Sequence, residues 1–171
     1  MEKIITKRLS VPCGNLLLGS FGDSLCLCRW EDGKRSEQQD KRIQAELQAE
    51  FRRGTSPVLK AAAAQLKEYF GRKRTEFDIP LIYAGTGFQK KVWDLLLSIP
   101  YGTTISYRRL AEKTGDPKAV RAVAGAVAMN PLSIFVPCHR VIGSDQKLVG
   151  YGGGLDAKNA LLAVEGVILP F

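Results

Sequence analysis

The first thirty residues contain short apolar runs separated by turn-forming residues. The runs are Ile4-Ile5, Leu16-Leu17-Leu18 and Leu25–Trp30, with glycines and an Asp-Ser pair between them. Apolar segments of this length, bounded by turn residues, are typical of β-strands. We therefore predict a small sheet at the start of the chain.

Two helices are predicted after these strands. Residues 34–56 are charged and glutamine-rich with sparse apolar positions, which favours an exposed helix. Pro57 begins a second segment in which apolar residues recur at helical spacing, and Gly71 ends it.

The segment 72–85 is basic and then extended, as is common in connections between domains. We place a domain boundary there, between a supporting unit over residues 1–83 and a second unit over residues 84–171. The predicted fold class is mixed α/β (α+β): a small sheet with helices first, then a mostly helical unit.

Helix signals are sharper in the second unit. Thr86 and Gln89, three residues apart, have the capping-box pattern, and Pro100 ends the apolar stripe that follows. A short helix is predicted to begin after Ser106 and to end at Gly115.

The next helix is predicted to begin at Asp116-Pro117, an N-cap followed by proline, and to run to Asn130-Pro131. Two helices joined by a short glycine-containing turn are a helix-turn-helix candidate. The second helix, KAVRAVAGAVAM, is slim and carries Lys118 and Arg121 but no acidic residue. The pattern leaves two interpretations open: a closely packed core helix, or a helix that enters a DNA groove with Arg121 as its long probe.

The composition is that of a globular protein with a buried core: 171 residues, 45% hydrophobic and 25% charged. No segment approaches the roughly 18 apolar residues of a membrane span, and the N-terminal residues lack the apolar stretch of a secretion signal. We therefore expect a cytoplasmic protein without membrane association, whose four scattered cysteines are free thiols. The net charge of +8, divided evenly between the two units, favours a polyanionic partner such as DNA or RNA.

The only histidine of the chain, His139, directly follows Cys138 in the segment VPCHRV. The thiolate is the nucleophilic form of cysteine, and a nearby imidazole is able to take the thiol proton. Adjacent side chains on a strand point to opposite faces, so direct bonding needs a bent backbone, which Pro137 favours, or a bridging water. The alternative is a buried structural cysteine next to a surface histidine.

Two further patterns are interpreted as structural. Cys26 and Cys28 alternate on a predicted strand. If His139 pairs with Cys138, the remaining cysteines have no histidine with which to complete a zinc ligand set, so we predict no metal and no other cofactor. The run GYGGG, from Gly150 to Gly154, lacks the residues of a phosphate-binding loop. It predicts a flexible turn or a backbone that closely approaches a flat ligand.

Five segments of the second unit, in this order and spacing, resemble the O6-alkylguanine-DNA alkyltransferases, the methylated-DNA–protein-cysteine methyltransferases of direct DNA repair. They are GTTISYRRLA, RAVAGAVAMNP, VPCHRV, GYGGG and LLAVEG, within residues 86–166. The first unit matches in length and layout only. The resemblance implies a ribonuclease-H-like first unit and a winged helix-turn-helix in the second.

The resemblance also implies a role for each matching residue of the catalytic set. Cys138 is the acceptor nucleophile, His139 deprotonates it through a water molecule, and Glu165 orients and polarises the histidine. Asn130 braces the turn before the active-site segment, and Tyr107 supplies a proton or hydrogen bond to guanine N3.

The substrate pocket and the DNA surface are implied in the same way. The pocket walls match Tyr151, the backbone of Val141 and Gly152, and Gly153. The DNA-binding residues are Arg121, which takes the place of a flipped base, Lys118, Ala122 and Tyr107. The resemblance implies a monomer that binds the minor groove of double-stranded DNA containing O6-alkylguanine.

The implied reaction is a single displacement in which the sulfur takes the alkyl group and becomes a stable thioether, so the protein acts once. O4-alkylthymine is a second candidate substrate. Two other functions stay open at this point: a DNA-binding module that flags lesions without chemistry, and a cysteine hydrolase whose thioester turns over.

Overall fold

The structure is a computed structural model that describes residues 2–33, 35–143 and 151–168. A four-stranded sheet forms its first part, in the order β3-β2-β1-β4. β1 pairs antiparallel with β2 and parallel with β4, and β2 pairs antiparallel with β3. The strands are β1 (Glu2–Val11), β2 (Gly14–Phe21), β3 (Ser24–Trp30) and β4 (Ala49–Arg53).

Two helices pack against this sheet, α1 (Ser36–Leu47) and α2 (Pro57–Phe70). The second begins as predicted, because the Ser56 side chain accepts a hydrogen bond from the Leu59 N–H and Pro57 occupies the first turn. Its apolar stripe belongs to the main hydrophobic core.

The helix predicted over residues 34–56 is wrong in its second half. α1 ends at Leu47, Gln48 adopts a left-handed conformation with φ 49°, and Ala49–Arg53 forms β4. The partner of β4 is β1, more than forty residues earlier, and local periodicity contains no signal of such pairing. Ile43 is buried in a second, smaller core cluster rather than exposed.

The remainder of the described chain is mostly helical. The capping box is confirmed, since the Gln89 N–H donates to Thr86 Oγ1 over 3.1 Å and the Thr86 N–H donates to Gln89 Oε1 over 3.0 Å. A short parallel pair joins β5 (Ile105–Ser106) to β6 (Val141–Ile142). The helices are α3 (Gly87–Leu97), α4 (Tyr107–Thr114), α5 (Val120–Ala128) and α6 (Leu155–Val164).

The helix predicted from Asp116-Pro117 begins later than expected. The Asp116 carboxylate accepts a hydrogen bond from the Lys118 N–H over 2.9 Å, which shapes a turn, and α5 begins at Val120. α4 and α5 contact each other across Gly115, whose φ of 97° lies in the left-handed region that glycine favours. One side of α5 is buried, whereas Arg121 and Ala122 are exposed.

The second half of the chain extends the sheet of the first half. The Cys28 N–H donates to the Pro131 carbonyl and the Ser133 N–H donates to the Cys28 carbonyl, both over 2.8 Å. This pairing covers the open edge of β3, and the main core draws side chains from both sides of residue 84. The segment 131–142 that follows α5 is buried throughout. None of the helices in the described ranges has the length and apolar character needed to cross a membrane.

Candidate active site

Cys138 lies at the wall of a cavity of about 520 Å³ between the sheet and α5. The volume is within the range of small-molecule pockets, roughly 300–1,000 Å³. The cavity is lined by Arg29, Trp30, Gly33, Arg35, Gln39, Tyr107, Val120, Ala124, Val127, Ala128, Asn130, Ser133, Cys138, Tyr151 and Gly152.

Asn130 holds the backbone that leads to Cys138. Its side-chain amide donates to the Val136 carbonyl over 2.8 Å, and its side-chain oxygen accepts from the Leu132 N–H over 2.9 Å. Asn130 is buried, so both bonds are shielded from water. An aliphatic residue at this position would leave two buried backbone groups without partners.

The Cys138-His139 pair occupies a bent backbone rather than a strand. Cys138–Arg140 forms one turn of 3-10 helix after Pro137, so the two side chains are not forced to opposite faces of a sheet. His139 is fully buried and Cys138 is 6% exposed. The alternative of a surface histidine is therefore wrong.

His139 faces a buried carboxylate from the end of α6. Its Nε2 is 2.6 Å from Glu165 Oε2. Burial raises the pKa of Glu165, but hydrogen bonds from His139, Arg140 and Tyr69 outweigh burial and bring the pKa to about 2. The carboxylate is therefore ionised, Nε2 carries the imidazole proton, and Nδ1 is the basic nitrogen.

The imidazole is held in its neutral form. Burial lowers the pKa of His139, and the nearby charge of Glu165 opposes this only in part. Nδ1 is buried and has no hydrogen-bonding partner within the described part of the chain. A neutral imidazole with an uncommitted lone pair is the state that a general base requires.

The thiol of Cys138 needs such a base. Burial raises its pKa, while a hydrogen bond from Asn130 and the positive charge of Lys158 act in the opposite direction. The net shift is upward, so the thiol is largely protonated at neutral pH. Lys158 is also buried, and burial lowers its pKa to about 8.

Comparison with known proteins identifies the family. The protein-family model described as 6-O-methylguanine DNA methyltransferase, DNA binding domain, matches residues 87–167. The methylated-DNA–protein-cysteine methyltransferase of Methanosarcina acetivorans is 43% identical over 156 residues, which are 91% of this chain and 94% of that protein. The chain belongs to the methylated-DNA–protein-cysteine methyltransferase family.

Two further methyltransferases extend the comparison. The one from Mycobacterium tuberculosis H37Rv is 54% identical over 104 residues, or 61% of this chain, and the match spans 63% of its own length. The crystal structure of Mycobacterium tuberculosis OGT in complex with DNA has a TM-score of 0.80 at 40% identity, over 94% of this chain and 92% of that one. The mixed α/β fold class is thereby confirmed.

The methyltransferase residues expected from the sequence fall into three locations. Tyr107, Asn130, Cys138, Tyr151 and Gly152 line the cavity. His139 and Glu165 are buried beside it, whereas Lys118, Arg121 and Ala122 are exposed at or just before the start of α5. Their individual roles stay predictions.

Two expected pocket residues, Val141 and Gly153, are not among the residues that line the cavity. The side chain of Val141 is fully buried in β6, where this residue pairs with Ile105, and its backbone is the part expected at the pocket wall. Gly153 packs against the indole of Trp30, so the flat group that this glycine approaches is part of the protein itself. Gly150, the first glycine of the run, lies outside the described residues.

Sequence reasoning missed several residues of the methyltransferase site. Lys158 is fully buried on α6 and its charge reaches Cys138. Its spacing from Leu161, Leu162 and Glu165 places it on the buried stripe of that helix, and a lysine on such a stripe is the signal that would have revealed it. Trp30, Gln39 and Tyr69 come from the first half of the chain, where no motif marked them.

We expect Gly153→Ala to destabilise the protein. A Cβ at this position would lie 2.7 Å from two atoms of the Trp30 ring, whose Nε1 donates to the Tyr151 hydroxyl over 3.2 Å. Overpacking of this kind costs about 1–3 kcal/mol, which would lower the melting temperature by about 2–4 °C per kcal/mol. Thermal melting checks this, with Gly152→Ala as the stability control because a Cβ there meets no atom within 4 Å. Equal melting of the two variants would contradict the packing argument.

Proposed function

We propose that this chain repairs DNA directly, by moving an alkyl group from O6-alkylguanine in double-stranded DNA to the sulfur of Cys138. The observation that carries this proposal is the position of a cavity-lining thiol next to a buried, neutral histidine held by an ionised carboxylate. The family membership fits this chemistry. O4-alkylthymine is a second candidate substrate.

The thiol proton passes from Cys138 to Nδ1 of His139, through one water molecule as in the family resemblance. The thiolate then attacks the alkyl carbon: the sulfur–carbon bond forms, the bond between that carbon and O6 breaks with its electron pair on the guanine, and the guanine takes up one proton, matching the one that the thiol gave up. Glu165 stabilises the imidazolium produced by the transfer, because its carboxylate is already bonded to Nε2–H. The product is a thioether, and no group in the proposed site removes it.

Tyr107 assists the departing guanine. Its ring lines the cavity, and burial together with the nearby Cys138 raises the pKa of its hydroxyl to about 12. The hydroxyl therefore stays protonated and able to donate a hydrogen bond to guanine N3. Such donation offsets the negative charge that develops on the purine as the bond to O6 breaks.

DNA binding is assigned to the helix-turn-helix of α4 and α5. The start of α5 exposes Arg121 and Ala122, with Lys118 just before it, so the surface is slim and positively charged. We place this surface in the minor groove, which is narrower than the major groove, and expect the damaged base to flip into the cavity. The pocket walls are assigned to Tyr151, Gly152, Gly153 and the backbone of Val141.

The remaining parts of the proposal concern organisation. We assign a ribonuclease-H-like supporting domain to residues 1–83 and an alkyltransferase domain with a winged helix-turn-helix to residues 84–171. All four cysteines are free thiols, which fits a monomer in the reducing cytoplasm.

Titration with methylated duplex DNA tests the proposed function against its alternatives. We expect one methyl group per protein molecule and then no further reaction, even with excess DNA. A protein that binds the lesion without transfer would be a lesion-flagging module. Repeated hydrolysis of an activated ester that depends on Cys138 would instead indicate a cysteine hydrolase.

Arg121→Ala should slow repair of duplex DNA much more than reaction with free O6-benzylguanine. A free base needs no extrusion, whereas unstacking in a duplex costs a few kcal/mol, so loss of the side chain should slow the duplex reaction by about tenfold or more. Single-turnover rates at saturating DNA measure this. Lys118→Ala is the comparison, because loss of one phosphate contact should reduce affinity and its salt dependence rather than this rate. Equal losses on both substrates would show that Arg121 has no part in base extrusion.

A further inference from the structure

The Glu165 carboxylate accepts hydrogen bonds from four residues, and one of them comes from the first half of the chain. Arg140 Nε and the Gly102 N–H donate to Oε1 over 2.8 and 3.0 Å. His139 Nε2 and the Tyr69 hydroxyl donate to Oε2, each over 2.6 Å, and Arg140 Nη2 donates to the same oxygen over 3.1 Å. Tyr69 belongs to α2, 96 residues before Glu165.

Tyr69 is fixed in place by its surroundings. Its side chain is fully buried, and its ring contacts those of Phe70, Phe77 and Tyr101 at centroid distances of 5.3, 5.5 and 6.2 Å. Burial and the negative charge of Glu165 raise the pKa of its hydroxyl, so it stays a donor at any pH at which the protein is folded. α2 therefore places a protonated hydroxyl, that of Tyr69, against Oε2 of Glu165.

The hydroxyl and the imidazole converge on that oxygen. Tyr69 Oη lies 3.5 Å from His139 Nε2, so the two donors approach Oε2 side by side. The short hydrogen bond from Tyr69, added to the longer one from Arg140 Nη2, disperses the negative charge of Oε2 and weakens its pull on the imidazole proton. It also adds to the bonds from Arg140 and Gly102 that orient the carboxylate toward the ring.

We propose that Tyr69 is a positioning residue for the His139–Glu165 pair, which keeps the carboxylate oriented and the imidazole neutral. The role of Tyr69 in transfer rests on the proposed function, although its effect on His139 does not. The first half of the chain then takes part in the chemistry through α2, in addition to supporting the second half.

Tyr69→Phe removes only the hydroxyl and tests the proposal directly. His139 is the only histidine of the chain, so ¹⁵N labelling of histidine gives one imidazole whose tautomer and protonation are read by NMR without DNA. We expect the titration midpoint of this imidazole to move to higher pH, because Oε2 regains the charge that the hydroxyl dispersed. Methyl transfer should slow by about 10- to 100-fold, as expected for loss of a hydrogen bond to a charged group.

Tyr83→Phe is the matched control. Tyr83 also has a raised hydroxyl pKa, of about 12, through burial and a hydrogen bond to Asp94, and its ring packs against Trp93. It does not contact the His139–Glu165 pair, so its loss should leave the imidazole titration and the transfer rate unchanged. A folded Tyr69→Phe protein with the wild-type imidazole midpoint would overturn the proposal.

Wild-type protein provides a second test if Tyr69→Phe does not fold. With labelled tyrosine, the slowly exchanging hydroxyl proton of Tyr69 should shift as His139 becomes protonated, because both share Oε2. If the chemical shift of the Tyr69 hydroxyl proton does not change as His139 titrates, the proposal would equally be overturned. If Tyr69→Phe shifts the imidazole midpoint as expected but the wild-type protein transfers no methyl group, the proposed function would be wrong. The effect of Tyr69 on His139 would still stand.

Discussion

A Cys138→Ser variant is expected to lose methyl transfer completely while its affinity for duplex DNA stays within a few-fold of the wild-type value. The serine hydroxyl is far less acidic than a thiol, and a neutral imidazole whose pKa is lowered by burial is too weak a base to ionise it. Under the proposed function, affinity comes from phosphate contacts on the surface of α5 and not from the reacting atom. The effect on rate is therefore the largest that any single substitution should produce.

Transfer of a radiolabelled methyl group and DNA binding, measured on the same preparations, check this expectation. Cys13→Ser is the matched control because it also removes one thiol, from a half-buried position outside the cavity lining. It should retain full transfer. Residual transfer in Cys138→Ser, or a loss of binding as large as the loss of transfer, would contradict the assignment.

Arg140→Met should cause the largest loss of stability. Arg140 Nε and Nη2 donate to the two oxygens of Glu165 over 2.8 and 3.1 Å, and Nη1 donates to the Ile99 carbonyl. Both partners of this ion pair are buried, with side-chain exposures of 9% and 0%. Removal of one partner of a buried pair typically costs about 3–5 kcal/mol, because the remaining charge has lost its compensation.

This loss should depend on pH in a defined direction. The pKa of Glu165 is about 2 in the folded protein against an ordinary value of 4.5, so its ionised form contributes stability that is lost as the pH falls from about 4.5 to about 2. Without Arg140 the pKa is lowered less and this contribution shrinks. The difference in the free energy of unfolding between wild type and variant should therefore be largest near neutral pH and should narrow in acid.

Denaturant unfolding at several pH values measures the effect. Arg42→Met is the control, because Arg42 forms an i,i+4 pair with Glu46 at side-chain exposures of 30% and 37%. Pairs of this kind contribute roughly 0.3–0.5 kcal/mol. A difference between wild type and Arg140→Met that is small, or that stays constant from neutral to acid pH, would show that the ion pair does not carry this share of the stability.

The elements with local signals were predicted well from the sequence. The capping box at Thr86 and the Ser56-Pro57 start of α2 depend on atoms within a few residues of each other, and both occur as expected. Asp116 shows the limit of this reasoning, because the same side chain that caps a helix also caps a turn. β4 was missed because its strand character comes from pairing with β1 and not from its own residues.

In the candidate site, too, the residues with a local sequence signal were predicted and those brought together only by the fold were not. Cys138 and His139 are neighbours in sequence, so their chemistry was visible in one hexapeptide, and the resemblance supplied Glu165. The contributions of Tyr69 and Lys158 depend on which side chains the fold brings to one carboxylate or one thiol. Lys158 left a sequence signal, a lysine on an apolar stripe, whereas a tyrosine on the stripe of α2 is an ordinary core residue until the fold places its hydroxyl against Glu165.

Mass spectrometry of the protein after incubation with duplex DNA containing O6-methylguanine tests the central claim most directly. The intact protein should gain the mass of one methyl group, the gain should lie on the peptide that contains Cys138, and the DNA should contain unmodified guanine in place of the lesion. An unchanged protein mass with an intact lesion, or a methyl group on a residue other than Cys138, would contradict the account.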